Sequence, residues 1–71
     1  QDGTVELSEA IGAKGQVYLR ISEDGVGQVT VEVNEAQRTY NAKSEDGTGI
    51  ATGDFIEVTD TIGEVLVVKR I

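Results

Sequence analysis

Between residues 16 and 21 the chain alternates, with Val17, Leu19 and Ile21 set between Gln16, Tyr18 and Arg20. A period of two over six residues marks a strand with one face buried and one wet. The alternation breaks at Ser-Glu-Asp-Gly-Val-Gly, residues 22–27, and resumes over 28–33, where Val29, Val31 and Val33 face away from Gln28, Thr30 and Glu32. Two such runs joined by a short loop with two glycines predict an antiparallel hairpin. The rest of the chain is arranged around it.

Asn34-Glu35-Ala36 reads as the next turn, and residues 37–44 as a third strand with Arg38, Tyr40 and Ala42 on one face. Tyr40 and Ala42 are expected inside, with Arg38 at the rim and its stem along apolar surface. Residues 45–52 form an acidic, glycine-rich loop whose single large apolar residue, Ile50, is expected to plug one end of a barrel. Residues 55–59 make a fourth strand with Ile56 and Val58 inward, and 60–63 a turn. Residues 65–68 are a fifth strand, apolar throughout, so its inward face stays open. Residues 1–10 are polar and weakly patterned: a linker remnant, or a short extra strand starting near Thr4. No stretch has a helical period beyond a single turn at 11–15 or 44–50. Five short strands with a turn every eight to twelve residues indicate a small barrel or sandwich over residues 11–71.

Length limits what such a fold can rely on. A chain of 71 residues buries roughly 60% of its unfolded surface, leaving only a few kcal/mol of net stability. With neither cysteine nor histidine, disulfides and the usual zinc ligand sets are both excluded, so β-packing must suffice. Six basic residues against thirteen acidic ones give a net charge of −7, which repels phosphate backbones and anionic lipid headgroups. The chain has no methionine, even at position 1, and is expected to be a piece of something longer. It contains no apolar run near the roughly 20 residues that span a bilayer.

Candidate chemistry is sparse. Ser-Glu-Asp-Gly occurs twice, at 22–25 and 44–47, but neither copy has the alternating carboxylates and distal bidentate glutamate of a calcium loop. Two solvated turns, with Ser and Asp bonded to nearby backbone, are the expected reading. Ser8, Ser22 or Ser44 would need a buried lysine within reach to act as a nucleophile. Lys14, Lys43 and Lys69 all lie in polar or glycine-flanked surroundings. The aromatics are Tyr18, Tyr40 and Phe55; Tyr18 beside Arg20 faintly suggests a base-stacking platform, against which stand the acidic balance and the lack of an aromatic cluster. The glycines at 12, 15, 25, 27, 47, 49, 53 and 63 precede no helix, cradle no phosphate, and are read as corners.

Taken in order, several short pieces resemble the soluble C-terminal domain of NfeD-like membrane proteins. Ile11-Gly12-Ala13-Lys14-Gly15-Gln16-Val17 resembles the family's opening IGxxG and strand, and Gly25-Val26-Gly27-Gln28-Val29-Thr30-Val31 its GxGxV step. Ala42-Lys43-Ser44 is similar to the end of its third strand. Ile50, Gly53 and Phe55-Ile56-Glu57-Val58 resemble its I-x-x-G-x-x-V-x-V element, and Gly63-Glu64-Val65-Leu66-Val67-Val68 its closing strand. The pieces span about residues 11 to 69. Asn34-Glu35-Ala36-Gln37 departs from the pattern, since many members carry a glycine turn there.

The resemblance implies an all-β, five-stranded, OB-like antiparallel barrel, tethered to a membrane only through segments outside this chain. It implies a non-enzymatic interaction domain whose partner is a stomatin- or flotillin-type (SPFH) scaffold protein. It supplies no catalytic, cofactor-binding or metal-binding residue, and leaves the side of the membrane open. The alternative from another class is an oligonucleotide-binding OB module. For such a barrel the expected core is Val17, Leu19, Ile21, Val29, Val31, Val33, Tyr40, Ala42, Ile50, Ile56, Val58, Leu66 and Val68.

Overall fold

A computed structural model describes residues 7–33 and 35–71, with side chains from Glu9 onward. Five strands follow a single 3-10 turn over Leu7–Ala10: β1 (Lys14–Leu19), β2 (Val26–Val33), β3 (Ala36–Ser44), β4 (Phe55–Ile62) and β5 (Val65–Arg70). They close into a barrel in the order β1-β2-β3-β5-β4. The five strands and the closure agree with the OB-like expectation. One seam differs from the antiparallel pattern, because β3 and β5 pair in parallel over Ala42↔Leu66, Lys43↔Val67 and Ser44↔Val68. Residues 45–54 carry the chain across the barrel end, so β4 and β5 enter as a hairpin whose second strand runs alongside β3.

The interior is built from β-branched and other small apolar residues, which suits a narrow cylinder. Ile21, Val29, Ala42, Ile56, Leu66 and Val68 are wholly buried, and Val17, Val31, Val33, Ile50 and Val58 nearly so. Tyr40 is half-buried and packs against this cluster. Ile50 closes one end as expected: its N–H and carbonyl exchange hydrogen bonds with those of Ile21, at 2.8 and 2.9 Å. At the other end, the 3-10 turn contacts β2 and β4, and Ala10 is buried in the core cluster. Packed structure therefore begins before residue 11. The strand suggested near Thr4 lies mostly outside the described residues, and its last residue, Leu7, opens the 3-10 turn.

Leu19 corrects the expected core. It is 52% exposed, because a register shift between Val17 and Leu19 places two residues of β1 against one step of β2. Val17 faces Val29 in the interior, but Leu19 faces Gln28 on the outside. A bulge of this kind turns a side chain to the opposite face and sharpens the local twist. Val67 is the converse case. It alternates with Leu66 and Val68 and lies outside the core cluster, yet it is 7% exposed. β4 also runs on to Ile62, three residues further than its pattern predicted, with a second register shift between Val58 and Asp60.

Two glycines read as corners are strand residues. Gly15 lies within β1 and Gly27 within β2, and each sits where another backbone crosses closely. A Cβ on Gly15 would fall 2.1 Å from the Thr30 carbonyl oxygen, and one on Gly27 2.5 Å from the carbonyl oxygens of both Leu19 and Arg20. A glycine in a strand interior weakens it unless such an approach demands it. At the β2–β3 turn, Glu35 adopts φ +67°, the left-handed region that glycine takes without cost. That is where the sequence departs from the NfeD-like pattern.

Substitutions should separate these roles. Leu66→Ala is expected to cost about 2–4 kcal/mol in urea unfolding, whereas Leu19→Ala, on the outer face, stays within about 0.5 kcal/mol. Gly27→Ala should lose about 1–3 kcal/mol, because its neighbours are backbone and cannot yield cheaply. Gly49→Ala, whose Cβ would meet nothing closer than 3.4 Å, serves as the tolerated control.

Candidate interaction surface

Strand register decides which side chains share the outer face. Across β3, β2, β1 and β4, the outward residues fall in rows: Asn41, Gln28 and Leu19; then Thr39, Thr30, Gln16 and Phe55. Both rows are uncharged. Their polar members bond to one another, with Gln28 Nε2 donating to Asn41 Oδ1 at 3.3 Å and the Thr30 and Thr39 hydroxyls 3.4 Å apart. Gln16 Nε2 donates to the Gly53 carbonyl at 3.0 Å. Among a chain's exposed groups, amides and hydroxyls already paired with each other are cheaper to desolvate than free charges.

Large apolar side chains stand on this face. Tyr18 is 59% exposed at the bulge beside Leu19, Val26 extends the same face of β2, and Phe55 is 64% exposed. The backbone N–H of Ile71 donates to the Phe55 carbonyl, which brings a further exposed apolar residue alongside. Phe55 and Ile71 border a shallow groove of about 600 Å³ that runs over Gly15, Gln16 and Thr30 to Lys14, Glu32 and Gln37. Charge returns in that last row, with opposite signs side by side: Lys14 pairs across strands with Glu57, and Lys69 reaches Glu57 at 3.9 Å.

The two Ser-Glu-Asp-Gly segments meet at the other end of the face. Each forms the same turn, the Gly25 N–H donating to the Ser22 carbonyl at 2.9 Å and Gly47 N–H to the Ser44 carbonyl at 3.4 Å. The Asp24 N–H then donates to the Gly47 carbonyl at 3.2 Å, so the repeats touch. Ser44 is buried and donates its hydroxyl to Asp46 Oδ1 at 2.8 Å, which also accepts the Thr48 N–H at 3.0 Å. The local side-chain-to-backbone bonding expected of these turns is present in the second copy.

No described cluster of three or more carboxylates is arranged to hold a metal ion. Ser44 spends its hydroxyl proton on a carboxylate rather than a lysine, and Ser22, Lys14, Lys43 and Lys69 are exposed. Ser8's side chain lies outside the description. Tyr18 and Arg20 are both exposed, but Lys14 is the single cation lining the groove, which is not the basic channel that tracks a single strand. Phe55 was legible only as the start of a strand; its position in the face follows from pairing with Gln16.

Hydrogen bonding to the charged form, first from the Ser44 hydroxyl and then from Thr48, lowers the Asp46 pKa from 3.8 to about 2. A depressed folded-state value means that this carboxylate stabilises the fold above the ordinary aspartate range, and that the contribution is lost as pH falls from about 4 to 2. In a carboxyl-detected NMR titration Asp46 should titrate near 2. Ser44→Ala should move its midpoint up toward 3.8; an unmoved midpoint would refute the assigned cause.

No family model matches the chain, and no curated protein matches it. Solved structures do. The soluble domain of the NfeD protein YuaF from Bacillus subtilis superposes with a TM-score of 0.79 at 28% identity, over 90% of this chain and 76% of that one. The C-terminal domain of stomatin operon partner protein 1510-C from Pyrococcus horikoshii gives 0.69 at 25%, covering 89% of each. The soluble domain of a Corynebacterium glutamicum membrane protein implicated in regulation of membrane protease activity shares the fold, at 0.64 and 20%, over 87% and 94%. The resemblance read from residues 11 to 69 is borne out by these matches: the chain folds as a closed five-stranded barrel similar to the soluble domains of NfeD proteins.

Proposed function

We propose that this barrel is the soluble domain of an NfeD-like membrane protein and works as a non-enzymatic docking module for a stomatin- or flotillin-type scaffold. The likeness to two such domains over about nine-tenths of the chain carries this reading. One of those relatives is described as a stomatin operon partner. The site's geometry supports it. An interaction face needs exposed aromatic and aliphatic side chains in a setting poor in charge, which the β1–β2 face supplies. Among the described residues the barrel interior is filled with apolar side chains, with Ser44 the buried polar residue. Attachment to a membrane would come from segments beyond the described residues, among which no helix is long and apolar enough to cross a bilayer.

The competing reading, an oligonucleotide-binding module, has one observation in its favour: Tyr18 and Phe55 are exposed on the outer sheet of an OB-like barrel. The net charge of −7 opposes it. Titrating the isotope-labelled domain with the SPFH domain of a flotillin-type protein from the same organism should shift resonances on the barrel surface. No shift at millimolar partner would remove the docking role. Single-stranded oligonucleotides at low salt should give flat anisotropy curves; binding that Tyr18→Ala abolishes would establish the alternative instead.

A further inference from the structure

The seam that closes the barrel is short. β2 pairs with β3 from Val33↔Ala36 to Val26↔Lys43, but β5 meets β3 only over Ala42–Ser44. Among the described residues no strand lies against that second edge of β3 between Ala36 and Tyr40. Two observations fix which backbone groups point into the open lane. The tight turn between Val33 and Ala36 makes them a hydrogen-bonded pair, so by alternation Arg38 and Tyr40 also bond to β2. Past the other end, the Glu45 N–H donates to the Val68 carbonyl at 2.7 Å, which turns the odd-numbered residues of β3 toward β5. Gln37 and Thr39 therefore present their N–H and C=O groups to the open side. Unpaired edges are usually blunted by a bulge, a proline or charge. β4 is blunted beyond Val58, where a register shift bends it and the Asp60 carboxylate accepts the Thr61 N–H at 2.8 Å. β3 has no proline, its register with β2 is unbroken, and Arg38 is the one charged residue on the open stretch.

We infer that this edge takes up a short extended segment of a partner protein as an added antiparallel strand, with a carboxylate opposite Arg38. The inference rests on the docking role proposed above and adds to it a strand edge, a binding mode and the chemistry of the bound segment. The backbone fixes the mode, because donors and acceptors at alternate residues are met by another strand. A second copy of this chain fits poorly. Its longest pairing within the open lane is centred on Arg38 and sets that residue opposite Arg38 of the second copy, and like charges directly opposite destabilise. Shifting the register to centre on Thr39 would bring Gln37 of the second copy to Asn41, beside which Val65 already begins β5. A segment with Asp or Glu at the middle position meets Arg38 with opposite charge instead. Arg38 is exposed, faces Val31 across β2, and has no carboxylate in ion-pair reach among the described residues. Half-buried Tyr40 lies on the same side of β3 as Arg38, so an apolar residue of the segment would cover it.

Amide hydrogen exchange and an NMR titration on the full isotope-labelled chain test this. In the free protein the Gln37 and Thr39 amides should exchange fast and those of Arg38 and Tyr40 slowly. Protection of Gln37 and Thr39 before any peptide is added, whether from self-association or from residues 1–6, would overturn the inference. The probe is a blocked pentapeptide, Val-Thr-Glu-Thr-Val, which sets valine opposite Tyr40 and glutamate opposite Arg38. It should bind with a Kd on the order of a millimolar, as a contact this small allows, and protect both amides. A counterpart with lysine in place of glutamate should bind roughly fivefold more weakly. Arg38→Glu, at an exposed position, should reverse that preference. Methylating the two threonine nitrogens, which face the edge in this register, should abolish binding. Equal affinity of the glutamate and lysine peptides, or undiminished binding of the methylated one, would refute the proposed mode. Peptide binding at the edge without any shift from the flotillin-type domain leaves the edge standing and removes the scaffold assignment. Scaffold shifts confined to the outer β1–β2 face, with no peptide bound at β3, leave the assignment and remove the edge.

Discussion

A five-stranded cylinder this narrow closes only where its strands bend sharply, and bending brings one backbone onto another. Gly15 and Gly27 are the two places where this happens along the β1–β2 pair. At both, the space that a Cβ would occupy is already held by a carbonyl oxygen of the neighbouring strand. The rest of the fold depends on these crossings. They let β1 bridge from β2 to β4, so that the sheet comes round to meet itself at the short parallel seam between β3 and β5. Closure in turn removes most of the free edges that a chain without proline would otherwise expose.

The same bend produces the outer face. Where β1 turns over Gly27, it carries an extra residue against β2, and Leu19 passes from the inside to the outside next to Tyr18. The small interior loses one leucine and the surface gains an adjacent pair of large side chains. The core is completed instead by Ala10 and Ile50 at the two barrel ends, each from a segment outside the five strands. Structure and surface are thus linked through one irregularity: the feature that lets the barrel close also puts apolar area where a partner can reach it.

Electrostatics complement this arrangement. Charge is kept away from the middle of the β1–β2 face and gathered at its ends, with the two repeated turns joined at one of them. Among the described residues their carboxylates form no group of three or more arranged to hold a metal ion. Asp46 is instead engaged by Ser44 and Thr48, so part of that charge is fixed in orientation by the local chain. The described interior is filled with apolar side chains, and the outside is differentiated by charge and by apolar exposure.

The local pattern determined a good deal. Alternation at Val17, at Val29 through Val33 and at Ile56 and Val58 identified strands and their inward residues, because a period of two is a local property of one buried face. The turn chemistry of the repeated tetrapeptides was legible for the same reason, as was Ile50 as a plug. Pairing across the barrel was not. The outward turn of Leu19, the parallel partner of β3, the burial of Val67 and the strand positions of Gly15 and Gly27 all depend on which backbone lies alongside. That is set by closure between residues distant in sequence. The face joining Phe55 to Gln16, Thr30 and Thr39 therefore exists only in the tertiary structure, where four separate strands bring it together.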